Sequence, residues 1–422
     1  MNFKTADRLV AVFSVLVFAL ATAKTGTAQT DGDLKTGPPV LAHYMPWYGS
    51  KSVSGAWGWH WTMNHFDPEK VDETGRRQIA SQYYPLIGPY DSSDPHALEC
   101  QVQLMKLSGI DGVVIDWYGI EEHWDYGINH RNTILMVEKI KKAGLKFAIC
   151  YEDQTIQPLL DAKKIKTGGE VAHGRKVLAW LEENWFQDQA YVKVRGNPVL
   201  MVFGPMRFKQ ADWNSMTKSM TPKPIIFGLP HLSAETGGNA YGWPPVNGGQ
   251  ETSPTAWKNY LDDLYGRAQN NTRVGGIVFP QFHDIYEQAK NKPSFGSLNA
   301  RGGKTFDETL DRGLRSQSEF VQIATWNDYG EGTMIEPTRE FGYRYLEKLH
   351  AKLNSRAKTD SELNDLRLPV ELYRARKNAA GDGRALAELT KVSDLIFARK
   401  YQLARERLVR MLPDSQGQRK QE

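Results

Sequence analysis

Cysteine and net charge are both scarce in this 422-residue chain. Its only cysteines are Cys100 and Cys150, and Cys150 lies within a strand-like apolar run. A disulfide framework is therefore excluded, and we expect both thiols to be buried and free. The formal charge of +4 falls to +2 without residues 1–28, because three cations and one anion leave with them. Such a small charge does not favour nucleic acid as a partner.

Motifs for several common chemistries are also missing. The histidines do not have a metal-ligand spacing such as HExxH. No Gly-rich phosphate loop, Ser nucleophile elbow or dinucleotide fingerprint stands in a suitable context. We therefore expect neither a metal nor an organic cofactor.

Long hydrophobic runs are absent after the N-terminus. There two cations precede an apolar run of signal-peptide length, and small residues precede Ala23 and Ala28. We interpret residues 1–28 as a signal peptide cleaved near Ala23 or Ala28, followed by a polar linker at 29–38. This predicts an exported protein, periplasmic or extracellular, with no membrane contact after cleavage. A retained membrane anchor is the alternative.

From Pro39 onward, apolar runs alternate with helical patterns. The apolar runs are nearly continuous, which is typical of parallel strands buried on both faces. The predicted strands cover 40–48, 112–119, 145–153, 197–204, 223–230, 239–243, 274–284 and a run from Phe320. The sixth of these, 239–243, could equally be a loop.

Helical patterns separate most of these strands. The predicted helices cover 95–107, 130–143, 176–183, 257–269 and 306–316. This repeat predicts a (β/α)8 TIM barrel at 39–350, a C-terminal helical extension at 351–412 and a disordered tail at 413–422. The extension is expected to be a helical hairpin with a break at 381–383 and a second arm opening at 384–395. It is either attached to the barrel or a small accessory unit.

In such a barrel the chemistry lies at the carboxyl ends of the strands. The side chains expected there are Tyr44, Trp47 and Tyr48; Asp116, Trp117 and Tyr118; Glu152 and Asp153; His231; Gln281 and His283; and residues 326–331. They are expected to converge on one face.

The segment 320–338, FVQIATWNDYGEGTMIEPT, carries the clearest chemical signal. Asp328 and Glu331 lie three residues apart in its Gly-containing second half. The rings of Trp326 and Tyr329 supply apolar walls that raise the pKa of a carboxylic acid. Two carboxyls with different pKa values are what acid–base chemistry on a sugar requires. A surface loop without a catalytic role is the alternative.

This segment, with AHYMPWYG and DGVVIDWYG earlier in the chain, resembles glycoside hydrolase family 99 and its relative family 71, the endo-α-mannosidase and α-glucanase type barrels. The likeness spans roughly residues 40–346. The family's late strand ends in Asn-Glu-Trp-His-Glu-Gly-Thr, followed closely by Ile-Glu-Pro. The matching residues here are Asn327, Glu331, Gly332, Thr333, Ile335, Glu336 and Pro337.

The resemblance implies a retaining glycosidase and assigns roles to the two carboxyls. Glu331 is the general acid and then base. Asp328 takes the position that deprotonates the sugar 2-hydroxyl, so that this oxygen displaces the leaving group through a 1,2-anhydro intermediate. The family has Glu at this position. The Asp side chain is one methylene shorter, so its carboxylate lies about 1.5 Å closer to the backbone. Either the backbone or substrate pose compensates, or the mechanism or the sugar differs; Asp328 as a direct nucleophile stays open.

Other residues are expected to bind the sugar, through hydroxyl contacts or ring stacking. Structural hydrogen bonds and core packing are the alternatives for each of them. The candidates are Tyr44, Trp47, Tyr48, Trp59, His60, Asp116, Trp117, Tyr118, Glu152, His283, Trp326, Asn327 and Glu336.

Together these features predict an exported, monomeric glycoside hydrolase that cleaves an α-linked bond in an oligo- or polysaccharide. One alternative is a glycosidase of different specificity, such as a xylosidase or arabinosidase-like enzyme. The other is a barrel that binds glycans without hydrolysing them.

Overall fold

The computed structural model describes residues 37–246, 248–270, 272–354 and 361–411. The predicted signal peptide, nearly all of the linker and the predicted C-terminal tail lie outside the described residues. Within the described part of the chain, no helix is long and apolar enough to cross a bilayer. The described residues form one compact unit.

The fold is α/β and is built on a curved, mainly parallel sheet. Its strands and two short hairpin strands are β1 (Val40–Tyr44), β2 (Gly112–Trp117), β3 (Lys146–Tyr151), β4 (Lys193–Val194), β5 (Asn197–Val202), β6 (Ile225–Phe227), β7 (Ala240–Tyr241), β8 (Val274–Val278), β9 (Phe282–His283), β10 (Ser297–Leu298) and β11 (Phe320–Ile323).

Hydrogen bonding connects the strands in the order β4-β5-β3-β2-β1-β11-β8-β7, and β6 pairs with β5. The short β4 runs antiparallel to β5, whereas the other pairs in this sheet are parallel. An isolated parallel bridge between Gly228 and Ala240 continues the pairing from the end of β6 to β7. Strands β9 and β10 form a separate antiparallel pair.

Helices follow most of the parallel strands. They are α1 (Lys51–Ser54), α2 (Trp59–Thr62), α3 (Pro95–Leu107), α4 (Tyr126–Ala143), α5 (Ile156–Asp161), α6 (Glu170–Leu181), α7 (Gln210–Met216), α8 (Pro254–Gly266), α9 (Lys304–Leu314), α10 (Arg344–Leu349), α11 (Leu368–Asn378), α12 (Gly383–Phe397) and α13 (Tyr401–Met411). Local sequence explains their ends: Asp94 caps α3 by accepting from the His96 N–H, and Pro95 occupies its first position. Gly144 ends α4 with φ of 69°.

The predicted strands are confirmed, but the structure ends most of them earlier. The first runs over Val40–Tyr44 rather than to residue 48, and the seventh ends at Val278 before the short β9. The doubtful sixth strand exists as the two residues of β7. The predicted helix at 95–107 is confirmed with the same bounds, whereas α4 begins four residues earlier than predicted.

Alternate residues of each strand face two different cores, as the two-residue period of a strand requires. Leu41, Val114 and Ala148 belong to the cluster on the inner face of the curved sheet. Val113 and Phe147, their neighbours in sequence, pack with the helices instead. This parity decides which residues near the strand ends can reach a common site.

The described part of the C-terminal extension contains three α-helices, α11 to α13, so the prediction of a two-helix hairpin is wrong. Residues 398–400 interrupt the expected second arm, and Arg399 adopts a positive φ of 59° there. The extension is attached to the main body at α3. Arg376 of α11 forms a buried ion pair with Glu99, N to O 2.6 Å, and Ser393 of α12 donates to the same carboxylate.

Candidate active site

A cavity of about 920 Å³ lies at the carboxyl ends of the parallel strands. Both predicted catalytic residues line it. The predicted sugar-binding residues that join them are Trp47, Trp59, His60, Asp116, Tyr118 and Glu152. Of the strand-end residues expected to converge on one face, those that line the cavity include Trp47, Asp116, Tyr118, Glu152, His231, Asp328 and Glu331.

The loop after β11 is tied to the end of β1 by Asn327. The Asn327 amide accepts from the N–H of Met45 at 2.7 Å and donates to the carbonyl of the same residue at 3.0 Å. Tyr48 donates its hydroxyl to the Asn327 carbonyl and accepts from the N–H of Tyr329. These bonds fix the backbone on both sides of Asp328.

Asp328 is held by its own loop. Its N–H donates to Thr325 Oγ1 at 2.8 Å, and its Oδ1 accepts from the Glu331 N–H at 2.9 Å. The Gly330 N–H also donates to this carboxylate. Only 5% of Asp328 is exposed, and the residue lines the cavity.

The two carboxyls have different protonation behaviour. Burial raises the pKa of Asp328 to about 6, against the lowering effects of the Glu331 N–H, His43, the Gly330 N–H and Lys292. Burial and the negative charge of Asp328 raise the pKa of Glu331 well above its ordinary value. Between these pKa values Asp328 is ionised and Glu331 is protonated.

Gly332 is required by the backbone of this loop. Its φ is 67°, and a Cβ there would lie 2.3 Å from the carbonyl oxygen of His283. Two backbone hydrogen bonds hold the segment around His283 this close to the loop. The His283 N–H donates to the Glu331 carbonyl at 2.9 Å, and the Ile285 N–H donates to the Gly330 carbonyl at 3.0 Å.

The floor of the cavity carries a second pair of carboxyls, Asp116 and Glu152. The register of β2 and β3 pairs Asp116 with Cys150, so Glu152, two residues later, follows on the same inner face. Burial and the charge of Asp328 raise the pKa of Asp116 well above its ordinary value, and burial and Asp116 do the same for Glu152.

His43 stands beside Asp116 as a neutral base. The amide nitrogen of Gln322 donates to the carbonyl of Gly242 at 2.6 Å. The amide oxygen of Gln322 therefore faces His43 Nδ1 at 2.8 Å. Because this oxygen can only accept, the ring proton of His43 lies on Nδ1. Nε2 lies 3.7 Å from Asp116 Oδ2. Burial lowers the pKa of His43 to about 4.

Aromatic rings form one wall of the cavity. Trp47 stacks on His60 with centroids 4.1 Å apart and on Tyr118 at 6.0 Å. His60 Nε2 lies 3.3 Å from Asp125 Oδ2, yet burial lowers the pKa of His60. Trp59, 40% exposed, lies at the mouth. Such a wall suits the apolar face of a sugar ring.

The remaining predicted binding residues do not line the cavity. Tyr44 and Trp117 each follow an inward-facing residue by one position, so strand parity turns them outward; Tyr44 donates to Gln101 of α3, and Trp117 packs against Trp180. The others outside the cavity are Tyr48, His283, Trp326, Asn327 and Glu336. His283 has an exposed side chain and acts in the loop through its backbone.

Glu336 lies behind the loop that carries Asp328 and Glu331 rather than in the cavity. Its carboxylate accepts from the hydroxyls of Tyr90 and Tyr329 at 3.0 and 2.8 Å and from Gln101 Nε2 at 2.7 Å. Burial raises the pKa of Glu336 to about 7, although the hydrogen bonds from these three donors act to lower it. The residue therefore supports Tyr329 and the loop from behind.

Among the described residues, one group could hold a metal ion. His43, Asp116 and Cys150 each place a ligand atom within 4.8 Å of the others. Burial raises the pKa values of Asp116 and of the Cys150 thiol, so a metal would have to displace protons from both. The expectation of no metal stays a prediction.

Several cavity residues were missed by the sequence reasoning. Trp243 comes from the Pro- and Gly-rich stretch after β7, where an aromatic residue among turn formers was the available signal. Tyr286, Lys292 and Phe295 come from the segment between β9 and β10, and no local pattern distinguishes them from an ordinary surface loop.

Comparison with known proteins relates the chain to one family. The Glycosyl hydrolase family 99 model matches residues 38–223. The glycoprotein endo-alpha-1,2-mannosidase of Rattus norvegicus is 33% identical over 352 residues, which cover 73% of this chain and 70% of the relative. The Mus musculus enzyme of the same name is 23% identical over 345 residues, covering 72% and 70%.

The fold comparison agrees. The GH99 endo-alpha-mannosidase of Bacteroides thetaiotaomicron superimposes with a TM-score of 0.56 at 18% identity, over 76% of this chain and 97% of that structure. The family resemblance seen in the sequence is confirmed: this chain belongs to glycosyl hydrolase family 99 and is a glycosidase.

Proposed function

We propose that this protein is a retaining endo-glycosidase that cleaves α-linked mannose-containing glycans with Glu331 and Asp328. The observation that carries the proposal is a pair of carboxyls in one cavity, Asp328 buried and Glu331 partly buried, whose pKa values are both raised. The α-mannosidase names of the relatives support the choice of sugar and linkage.

We also propose that the parallel strands form a (β/α)8 barrel. The strand pairings support this closed arrangement. They run from β1 through β2, β3 and β5 to β6, cross to β7 by the bridge between Gly228 and Ala240, and return through β8 and β11 to β1. Catalytic groups at the carboxyl ends of the strands are the arrangement such a barrel favours.

In the first step, ionised Asp328 removes the proton of the sugar 2-hydroxyl, and the 2-oxygen attacks the anomeric carbon. The glycosidic bond breaks as Glu331 donates its proton to the leaving oxygen. Glu331, now a carboxylate, then deprotonates water, which opens the 1,2-anhydro ring at the anomeric carbon. Asp328 returns its proton to the 2-oxygen. Two displacements at one carbon retain its configuration.

The pKa order fits these roles. The rate should rise as Asp328 ionises near pH 6 and fall at higher pH as Glu331 loses its proton. Burial raises the pKa values of Asp116 and Glu152, which favours their neutral forms, and neutral carboxyls can donate to or accept from sugar hydroxyls without adding negative charge.

Endo action is supported by a second cavity of about 660 Å³. It shares Trp59, His60, Tyr118, Glu152 and Gln154 with the first. Adjoining cavities provide room for more than one sugar unit. We also propose that the protein is monomeric and exported. The signal-peptide pattern at residues 1–28 supports export.

A substrate screen tests this function. Purified protein is incubated with α-1,2-linked mannan, α-glucan, xylan and arabinan, and new reducing ends are measured with Glu331→Gln as the control. We expect release from the mannan, with the α anomer appearing first by NMR. Release from xylan or arabinan alone would favour the other glycosidase specificity, and inversion would contradict the proposed steps.

A further inference from the structure

Lys292 is the one lysine among the described residues that line the cavity. Its ammonium lies 3.9 Å from the ring centroid of Tyr286 and 4.3 Å from that of Phe295. Both rings also line the cavity. Aromatic faces attract a cation, so the exposed side chain has a preferred place.

The segment that carries Lys292 is folded rather than loose. The antiparallel pair of β9 and β10 closes its base. Buried Asp284 organises its interior by accepting from Ser294 Oγ at 3.0 Å, from the Phe295 N–H at 2.8 Å and from the Tyr286 N–H at 3.3 Å.

This segment is also joined to the catalytic loop. The backbone bonds from His283 to Glu331 and from Ile285 to Gly330 fix one against the other. A Cβ built on Gly330 would lie 3.8 Å from the Tyr286 hydroxyl and 3.4 Å from Asp328 Oδ1, so Tyr286 and the carboxylate approach the same point. The ammonium over Tyr286 therefore lines the same cavity as the carboxyl pair.

We propose that Lys292 is a positioning residue that acts through its charge: held by Tyr286 and Phe295, it keeps Asp328 ionised so that this carboxylate can serve as the base. The inference rests on the proposed function and extends it to a residue outside the family motif.

The charges around the pair explain why such a cation is needed. The ionisable groups that interact most strongly with Asp328 or Glu331 include His43, Tyr48, Asp116, Tyr118, Asp284, Tyr286 and Lys292. Of these, His43 and Lys292 can be positive; the other side chains lining the cavity that can carry positive charge are His60, His231 and Arg267. Because burial lowers the pKa of His43 to about 4, that ring is neutral near pH 6. Lys292 is then the cation that lowers the pKa values of both Asp328 and Glu331.

The test compares pH–rate profiles of the wild type with those of Lys292→Met, Lys292→Arg and Lys290→Met. Lys290 is an exposed lysine of the same segment outside the cavity, so it serves as the matched control. In Lys292→Met both pKa values rise, and both limbs of the profile should move to higher pH by at least about half a unit. Lys292→Arg and Lys290→Met should keep the wild-type limbs.

High salt provides a second check, because an exposed ammonium is screened. The separation between wild type and Lys292→Met should shrink near 1 M salt. A lower rate at every pH with unmoved limbs, or an equal shift in Lys292→Arg, would overturn the proposal by showing that shape rather than charge matters.

A direct titration separates this inference from the proposed function. The carboxyl carbon of Asp328 is followed by 13C NMR, with its signal assigned by its loss in Asp328→Asn. A higher midpoint in Lys292→Met supports the role of Lys292 even if no tested glycan is cleaved. An unchanged midpoint overturns it even if the enzyme is active.

Discussion

The backbone N–H of Glu331 donates to Oδ1 of Asp328 across 2.9 Å. One carboxyl residue thus orients the other, and the three-residue spacing seen in the sequence is what allows it. The Gly330 N–H adds a second donor to the Asp328 carboxylate. The short side chain at this position is therefore accommodated by its own loop.

Asp328→Asn should lower the rate by about 10²- to 10⁴-fold, because the base is lost and the amide places donors against backbone N–H groups. Asp328→Glu should lose at least about tenfold, because one methylene moves the carboxylate by about 1.5 Å from its donors. Initial rates at pH 7 and thermal melts measure both effects. A Glu variant as active as the wild type would show that the cavity is built for the longer side chain.

Glu336→Gln should change how stability depends on pH. Its pKa of about 7 in the folded protein exceeds the ordinary 4.5, so the folded state holds a proton that the unfolded chain releases. The resulting stabilisation is present below about pH 4.5 and is lost as pH rises through about 7, in total about 3 kcal/mol.

Urea unfolding at pH 4.5 and 7.5 measures the effect. The wild type should lose stability relative to Glu336→Gln over this interval, because only the wild type carries the group. An equal change in both proteins would place the pH dependence in other carboxyls.

The sequence was sufficient to predict strands and site residues where the hydrophobic pattern and the motif coincide. Near-continuous apolar runs predicted the parallel strands, and the WNDYGEGT segment led to Asp328 and Glu331. It was insufficient for side chains whose direction depends on where a strand ends. Tyr44 and Trp117 were grouped with their neighbours at the strand ends, although one step of strand parity turns them toward the helices. Lys292 reaches the cavity through long-range pairing of its segment, which leaves no local pattern.

The ion pair between Glu99 and Arg376 holds the C-terminal extension on α3. Burial works against ionisation of Glu99, but Arg376 and Ser393 outweigh it and lower its pKa. Arg376→Met should destabilise the protein by up to about 3–5 kcal/mol, because it leaves the buried Glu99 carboxylate with only Lys142, an exposed cation 3.4 Å away.

Denaturant unfolding of Arg376→Met and of the double variant Glu99→Leu, Arg376→Met tests this. The double variant should recover part of the loss. Lys391→Met removes an exposed pair with Glu388 and should have little effect. Similar losses in Lys391→Met and Arg376→Met would contradict the special role of the buried pair.

Glu331→Gln provides the most direct test of the proposed mechanism. The variant keeps the shape of the side chain but has no proton to donate, so it should produce no measurable new reducing ends from a glycan that the wild type cleaves. Its circular dichroism and melting temperature should match those of the wild type. Hydrolysis by Glu331→Gln at a rate near that of the wild type would contradict the assignment of the catalytic pair.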